Sequence, residues 1–302
     1  MRFFTVFLPL LLALLPAPLH AADADGKLRI VVFGAHPDDA EYKAGGTAVK
    51  WARLGHQVKL VSVTNGDIGH WREAGGPLAQ RRTAESAACA KKLGATSQVL
   101  DIHDGELLPT LENRKLITRI IREWQADIVI AHRPWDYHPD HRYVGVLVQD
   151  AAFMVTVPFF CPDVPPLKKN PVFLYSSDGF KKPYPFAPDI AVALDEVFEQ
   201  KLDGLHELTS QAYEGGASGS PEWAEKTVPP ASDEAARRAW LKKRWSGRQG
   251  HEADACRELL VKLYGEEKGR AVRYAESFEL CEYGRRPTAD EIRLLFPFFG
   301  EK

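Results

Sequence analysis

The chain has 302 residues, of which 45% are hydrophobic and 26% are charged, and its formal net charge is −2. This length and composition predict a globular protein with one large domain, or one domain with an appendage. The near-balance of charge argues against a nucleic-acid-binding protein, which would show a basic excess or stripe. The short basic clusters Arg237-Arg238 and Lys242-Lys243-Arg244 are therefore interpreted as a solvated helix face.

The N-terminal segment has the pattern of a secretory signal peptide. Arg2 precedes a nearly uninterrupted apolar run from Phe3 to Leu15, and Ala21 and Ala24 follow as candidate cleavage positions. The run is shorter than the ~20 residues that a membrane-spanning helix requires, which disfavours the alternative of a membrane anchor. We therefore predict that residues 1–24 are removed and that the mature protein is exported, either to the periplasm or out of the cell.

The four cysteines include no CxxC pair, which argues against a zinc site built from thiolates. An exported protein is free to form disulfides, and the pairing to test first is Cys256 with Cys281. Cys89 lies on the apolar face of a predicted helix and is expected to be a buried thiol.

From residue 27 onward, apolar strands alternate with amphipathic helices. We predict strands over 28–34, 57–63, 97–101 and 126–132, separated by helices over about 43–54, 78–93 and 111–124. Glycines stand near the ends of the first two helices, at Gly55 and Gly94, as helix C-termini favour. Short strands joined by helices predict an α/β fold with a doubly wound, mostly parallel sheet and right-handed crossovers.

The second half of the chain is less regular. We predict a helix from about His141, strands at 171–176 and 190–194 around a proline-rich region, and a helix at about 195–213. Residues 215–232 contain Gly-Gly, Ser-Gly-Ser and Pro-Pro, which indicate a loop or linker. Helices at about 233–245 and 252–264, a strand at 271–280 and a helix at 289–296 follow. The mature chain thus divides into a core over 25–214, a linker over 215–232, and a C-terminal α+β extension over 233–302 that packs on the core.

Two polar motifs follow two of the predicted strands. His36-Pro37-Asp38-Asp39 comes directly after the apolar run Ile30–Phe33, and His138-Pro139-Asp140-His141 follows Ile128–Ala131 within a short loop. Open α/β folds place their chemistry at the ends of strands, so the two motifs are expected to converge. Their histidines and aspartates are suited to hold one divalent metal ion.

A catalytic zinc needs about three His or carboxylate ligands and one open position. His36 and Asp39, three residues apart across a tight turn, can aim at one point, and His141 can supply the third ligand. The ion would lower the pKa of a water to about 7. Asp38 points elsewhere and can act as the general base. The same ligand set accepts other divalent metals.

The second motif offers two further groups beside this centre. His138 can donate a hydrogen bond to the oxyanion of a tetrahedral intermediate. Asp140 can hold His138 in its donor state.

The paired motifs, Ala35–Glu41 and His138–His141, resemble those of the zinc-dependent N-deacetylase family of PIG-L and LmbE-like proteins. The resemblance covers about residues 28–213 and a segment near the C-terminus. It includes Gly45-Gly46, Thr64-Asn65-Gly66, Arg82-x-x-Glu85, Arg133-Pro134-x-Asp136 and Tyr274–Phe278. Asn65 departs from the family, which often has an acidic residue there, and this departure leaves the substrate open.

The resemblance implies a Rossmann-like fold and one Zn²⁺ per chain. It implies His36, Asp39 and His141 as metal ligands and Asp38 as the base. The implied reaction removes the acetyl group from an N-acetylated sugar or a related amide. A small-molecule or glycoconjugate substrate is therefore expected, and the oligomeric state stays open.

Several other residues have both a functional and an ordinary interpretation. Arg82 either contacts substrate or a motif carboxylate, or forms a helix-surface ion pair with Glu85. Gly45-Gly46 either cradles a phosphate or lets its helix pack closely. Aromatic rings beside the motifs either line a sugar site or pack within loops; they are Trp71, Trp135, Tyr137 and the segment Phe180–Phe186.

Two rival functions are compatible with these motifs. A metal-dependent phosphoesterase would usually bind a second ion about 3.5–4 Å from the first, with more ligands than these motifs supply. A non-catalytic glycan-binding protein on the same scaffold would have no need for a spare carboxylate such as Asp38 beside the metal.

Overall fold

The computed structural model describes residues 26–299. Its centre is a seven-stranded sheet in the order β3-β2-β1-β4-β5-β7-β6. The strands are β1 (Arg29–Gly34), β2 (Gln57–Ser62), β3 (Thr96–Val99), β4 (Ile128–Ala131), β5 (Val172–Ser176), β6 (Ile190–Ala193) and β7 (Ala275–Gly284). The predicted signal peptide over 1–24 lies outside the described residues. Within 26–299, no helix combines the length and the apolar character needed to cross a membrane.

The five neighbouring strands β3, β2, β1, β4 and β5 are parallel, and the sheet becomes mixed at the edge formed by β7 and β6. β1 pairs in parallel with β2 and β4, so that Ile30 faces both Val58 and Ile128. β7 runs antiparallel to both of its neighbours, β5 and β6. The predicted α/β class with a doubly wound, mostly parallel sheet is confirmed.

Helices cover both faces of the sheet. They are α1 (Asp39–Arg53), α2 (Gly76–Leu93), α3 (Leu111–Glu123), α4 (Pro139–Met154), α5 (Phe198–His206), α6 (Thr209–Ala212), α7 (Pro221–Thr227), α8 (Glu234–Ala255), α9 (Arg257–Tyr264), α10 (Glu266–Ala271) and α11 (Ala289–Leu295). In β1, Ile30 and Val32 point into the core shared with α1, α2, α5 and α8, whereas Val31 and Phe33 point into the core shared with α3 and α4. This alternation is the period of two expected of a strand that is buried on both faces.

The C-terminal region differs from the prediction in two respects. The first of the two helices predicted at 233–245 and 252–264 is longer than expected, because α8 continues through Gly247 and Gly250 to Ala255, and the second begins only at Arg257. Each glycine costs a helix roughly 1 kcal/mol. The helix persists because buried residues recur every fourth position along it, at Leu241, Trp245, Gln249 and Ala253.

Strand β7 gives residues 233–302 a larger part in the fold than that of an extension. Helix α8 contributes Leu241 and Trp245 to the core, and β7 lies between β5 and β6 and is therefore part of the central sheet. The predicted linker over 215–232 also contains a short helix, α7, whose first turn is capped by the side chain of Ser220.

A buried ion pair fastens β7 to α1 and α5. The Glu276 carboxylate accepts from Lys201 Nζ at 2.7 Å and from the backbone N–H groups of Gly46 and Thr47 at 2.9 and 2.7 Å. A Cβ on Gly46 would lie 2.7 Å from a Leu194 methyl group, so glycine is needed for this close packing. Gly45-Gly46 therefore serves the packing of α1, as in the ordinary interpretation above.

Removal of this carboxylate is expected to destabilise the protein strongly. Glu276→Ala leaves Lys201, which is 0% exposed, without its counter-charge. Breaking a buried pair in this way typically costs about 3–5 kcal/mol. The measurement is the free energy of unfolding in urea, and Glu282→Ala, an exposed carboxylate on the same strand, is the control. Equal midpoints for the two variants would contradict the assignment.

The four cysteines are all buried and free. The disulfide considered between Cys256 and Cys281 is therefore not formed in this structure. Cys281 Sγ lies 3.1 Å from the Tyr175 hydroxyl. Cys89 is a buried thiol in the core, as expected.

Candidate active site

The first motif folds into a tight turn between β1 and α1. The backbone N–H groups of Asp38 and Asp39 both donate to the His36 carbonyl, at 2.8 and 3.2 Å. Gly34 makes room for this turn, because a Cβ there would stand 2.6 Å from the Cβ of Asp39. The turn directs the side chains of His36 and Asp39 toward α4, where the second motif begins.

Three side-chain atoms from the two motifs form a nearly equilateral triangle. His36 Nδ1 lies 3.2 Å from His141 Nε2, and each of these nitrogens lies 3.4 Å from Asp39 Oδ2. Ligands bonded to a tetrahedral zinc at 2.0–2.2 Å are separated by about 3.3–3.6 Å. The residues present therefore fit a zinc-sized ion with one coordination position left open.

Each histidine of the triangle has carboxylates beside its other ring nitrogen. His141 Nδ1 lies 3.1 Å from Asp136 Oδ1. His36 Nε2 lies 3.0 Å from Asp104 Oδ1 and 3.3 Å from Asp140 Oδ2, although it makes no well-aligned hydrogen bond. Carboxylates in this position orient a ligand imidazole and increase its basicity.

The charges around the triangle favour a cation. Burial alone would lower the pKa of His36, but the carboxylates of Asp104 and Asp140 outweigh it and hold that pKa well above its usual value. The pKa of His141 is also raised. Burial alone would lower it, but the carboxylates of Asp39 and Asp136 outweigh that effect. The pKa of Asp39 is held well below its usual value, because the charges of His141 and His132 outweigh the effect of burial. A field that favours protonated imidazoles also favours a divalent ion in their place.

Other combinations of ligand atoms lie in the same cluster. One joins Asp39 and His141 with His132, and another joins His36 with Asp104, His138 and Asp140. His132 is stacked on His141 with ring centroids 4.2 Å apart, and burial lowers its pKa. We favour His36, Asp39 and His141 because their donor atoms have the spacing of a tetrahedral face.

Neutralising the carboxylate behind His141 is expected to weaken the metal site without destroying it. Asp136→Asn removes the charge but keeps the shape, and loss of such an orienting partner typically reduces metal affinity by about 10–100-fold. The measurement is a zinc titration against a competing chelator. Asp150→Asn, on α4 but paired with Arg114 away from the triangle, is the control. Identical affinities for the two variants would contradict the role of Asp136.

Asp38 lies beside the triangle without taking part in it. Burial raises the pKa of Asp38 to about 6, and the adjacent charge of Asp39 adds to the effect, while Arg82 opposes it. A carboxylate with a pKa closer to neutrality is better suited to accept a proton and to return it. The position and chemistry of Asp38 are those expected of a general base.

The second motif requires one correction. We expected Asp140 to hold His138, but the Asp140 carboxylate accepts instead from the backbone N–H groups of Gly105 and Leu107 and faces His36. The reason is the start of α4, where the Asp140 backbone N–H donates to His138 Nδ1 at 3.2 Å. Because Nδ1 accepts, a neutral His138 carries its proton on Nε2. Burial lowers the pKa of His138, so this neutral donor form is favoured.

Arg82 and Glu85 do not pair with each other. Arg82 is 1% exposed, and it donates to the carbonyls of Gly66 and Gly69 at 2.9 and 2.6 Å. Its charge reaches Asp38 and favours the ionised carboxylate. Glu85 instead accepts from Arg81 and Ser210. Arg82 thus holds the 66–69 loop, and its charge lowers the pKa of Asp38.

The aromatic candidates occupy different places around the site. Tyr137 is 73% exposed, with its ring centroid 5.7 Å from that of His141. Trp135 packs against Tyr184, which belongs to the segment Phe180–Phe186, with the two ring centroids 4.6 Å apart. The indole N–H of Trp71 donates to the Glu214 carbonyl at 3.0 Å, so Trp71 fastens its loop to the chain after α6.

Sequence reasoning missed two residues near the candidate metal site, Asp104 and His132, and it did not assign an orienting role to Asp136. His132 directly follows β4, and Asp104 follows β3, so both stand at the strand ends where the motifs lie. That position was the available signal. It was weak because neither residue belongs to a paired motif.

The amino-acid sequence is similar to those of known de-N-acetylases. The family model PIG-L, described as GlcNAc-PI de-N-acetylase, matches residues 31–152. Diacetylchitobiose deacetylase of Thermococcus kodakarensis is 32% identical over 189 residues, which are 61% of this chain and 70% of that protein. A probable N-acetyl-alpha-D-glucosaminyl L-malate deacetylase 2 of Bacillus anthracis is 26% identical over 221 residues, covering 65% of this chain and 91% of that protein.

A solved structure is similar over most of the chain. N,N'-diacetylchitobiose deacetylase from Pyrococcus horikoshii superimposes with a TM-score of 0.64 at 25% identity, covering 87% of this chain and 88% of that chain. The similarity therefore extends well beyond the segment that carries the two motifs.

Proposed function

This chain belongs to the PIG-L family of de-N-acetylases, and on that basis we propose that it is a zinc-dependent hydrolase of N-acetylated sugars or glycoconjugates. It is an enzyme of the metal-dependent N-deacetylase class. The observation that carries the proposal is the triangle of His36 Nδ1, Asp39 Oδ2 and His141 Nε2 beside the unligated Asp38. The overall reaction adds water to the amide and yields acetate and a free amine.

Zn²⁺ held by His36, Asp39 and His141 would supply Lewis-acid chemistry to the carbonyl and to the attacking water. Asp38 takes the proton that this water loses as it attacks the acetyl carbon. The same carboxyl then returns a proton to the nitrogen as the C–N bond breaks. The raised pKa of Asp38, about 6, suits both transfers.

His138 completes the site as a hydrogen-bond donor. With its Nδ1 occupied by the Asp140 backbone N–H, its Nε2–H is available to the oxygen on which negative charge develops. Its ring lies close to His36, with centroids 4.5 Å apart.

An N-acetylated sugar is the substrate class that we infer. Two relatives of this chain are named as deacetylases of diacetylchitobiose and of an N-acetylglucosaminyl malate. Exposed Tyr137, beside the second motif, and Trp135 behind it offer rings against which the apolar face of a sugar can pack.

The test is acetate release from a panel of N-acetyl sugars by zinc-loaded protein. We expect acetate and free amine in equal amounts, loss of both on treatment with a chelator, and recovery on adding zinc. The absence of acetate from every sugar tried, with one zinc bound per chain, would refute the proposal. Two tightly bound ions per chain together with phosphate release from phosphoesters would favour the phosphoesterase instead.

We also propose that the enzyme is exported and that its mature form begins near residue 25. The support is the apolar pattern of residues 3–15 and the small residues after it. The intact mass of the protein recovered from the expressing cells tests this directly. Retention of residues 1–24 would contradict it.

A further inference from the structure

Helix α8 brings two arginines to a cavity that reaches the general base. This cavity, of about 200 Å³, is lined by Asp38 and Tyr42 on one side, by Gln211 of α6, and by Arg244, Trp245 and Arg248 of α8. Helix α8 lies outside residues 31–152, where the family model matches. The cavity therefore joins the shared catalytic motif to a part of the chain outside that match.

Aromatic rings, and not carboxylates, hold the two guanidinium groups. Arg248 Cζ lies 5.0 Å from the centroid of the Trp245 ring, and Arg244 Cζ lies 5.7 Å from that of Trp240. Stacking of this kind positions a guanidinium while leaving its N–H edge available. Both side chains are exposed, and neither forms an ion pair with a carboxylate of residues 26–299.

Two other cations of α8 are neutralised by carboxylates. Arg238 pairs with Asp203 at 2.8 Å, and Lys242 pairs with Glu199 at 2.5 Å, both across to α5. Arg244 and Arg248, four residues apart on one helix face, are left to carry positive charge into the cavity. Within the described part of the chain, Asp38 is the one acidic residue that lines it.

One of the two arginines also borders a second, larger cavity. This space, of about 510 Å³, has Lys43, Lys181 and Arg248 as its basic residues and Asp178 and Glu252 as its acidic ones, with Phe180 and Phe186 also in its lining. A substrate group held at Arg248 would thus have room beside it for the rest of a glycoconjugate.

We propose that Arg244 and Arg248 bind an anionic substituent of the substrate, so that the preferred substrate is an N-acetylated sugar bearing a carboxylate or a phosphate. The planar guanidinium fork matches the paired oxygens of either group. This inference rests on the proposed deacetylase function and adds to it a substrate class and the residues that select it.

The test compares acetate release from three related sugars: neutral N-acetylglucosamine, N-acetylglucosamine 6-phosphate and N-acetylmuramic acid, which carries a carboxylate. For the wild-type enzyme, kcat/KM for at least one anionic sugar should exceed that for the neutral sugar by roughly tenfold or more. In the double variant Arg244→Gln/Arg248→Gln this ratio should fall to near one. Lys243→Gln, an exposed cation on the same helix away from the cavity, should leave the ratio unchanged. The two anionic arms show whether phosphate or carboxylate is preferred.

Two results would overturn the inference. One is a wild-type enzyme that does not prefer either anionic sugar. The other is a double variant whose rates on neutral and anionic sugars fall by the same factor, which would indicate a structural role for the arginines. Arg248→Lys, which keeps the charge without the fork, should retain part of the preference.

Direct binding separates this inference from the deacetylase proposal. Glucosamine 6-phosphate should bind more tightly than glucosamine by calorimetry, and the double variant should remove the difference. If no sugar releases acetate yet this difference is found, the reaction assigned above is wrong and the anion site stands. If acetate is released but no difference is found, the deacetylase stands and the anion site falls.

Discussion

Asp38→Ala is expected to bind zinc with unchanged affinity while losing roughly 10²–10⁴-fold in kcat. Zinc binding should persist because Asp38 contributes no atom to the triangle of His36, Asp39 and His141. Turnover should fall because, among residues 26–299, the other carboxylates that border that triangle are engaged with its histidines. Asp104, Asp136 and Asp140 all face the ligand histidines. The measurements are bound zinc per chain and acetate release under saturating substrate.

Two companions make this result interpretable. Asp38→Asn keeps the shape of the side chain and should lose activity to a similar extent, which would assign the effect to proton transfer. Asp101→Asn removes an exposed carboxylate after β3 and should behave like the wild type. An Asp38→Ala enzyme with full deacetylase activity would show that the base lies elsewhere.

His141→Ala is expected to reduce zinc affinity by more than about 100-fold, and with it all activity. Changes in residues that merely orient a ligand typically cost about 10–100-fold in affinity, and His141 supplies one of the three donor atoms itself. The substitution also removes the partner of Asp136 and the ring stacked on His132, so folding must be checked by circular dichroism. The measurement is a zinc titration against a competing chelator.

The matched control for this prediction comes from the same motif. His138→Ala should keep zinc affinity within a few-fold while lowering kcat by roughly 10²–10³-fold, as expected for the loss of an oxyanion donor. If His141→Ala bound zinc as tightly as the wild type, His141 would be removed from the ligand set. The neighbouring combination of Asp39 with His132 would then be reconsidered.

The catalytic motifs could be recognised in the sequence because their chemistry is local. His36 and Asp39 follow a strand of four consecutive apolar residues, and a strand buried on both faces leaves such a run in the sequence. His138 and His141 follow another such strand. Because neighbouring parallel strands end at one edge of the sheet, the convergence of the two motifs was predictable without coordinates.

The groups that orient the ligands could not be assigned in the same way. Asp104 and Asp140 both approach His36, yet the sequence suggested that Asp140 would serve its near neighbour His138. The start of α4 decided the matter, because its first free N–H groups need acceptors and His138 supplies one. Which side chain accepts from these backbone N–H groups depends on the residue at which the helix begins. A shift of one residue would change the acceptor.

The C-terminal part of the chain shows the same division. Its helices follow from apolar spacing, but no local pattern indicates that β7 lies between β5 and β6, or that Glu276 pairs with Lys201, 75 residues away. The cavity that Arg244 and Arg248 share with Asp38 likewise exists only after α8 has packed.

The amino-acid sequence by itself determined the α/β class, the two motifs and the chemical types of the metal ligands, because periodicity and strand ends are properties of short segments. The tertiary structure alone decided which carboxylate faces which imidazole, how β7 joins the sheet, and which cations line a cavity with Asp38. Those contacts join residues far apart in the chain, and packing selects them by the requirement that buried charges and polar groups find partners.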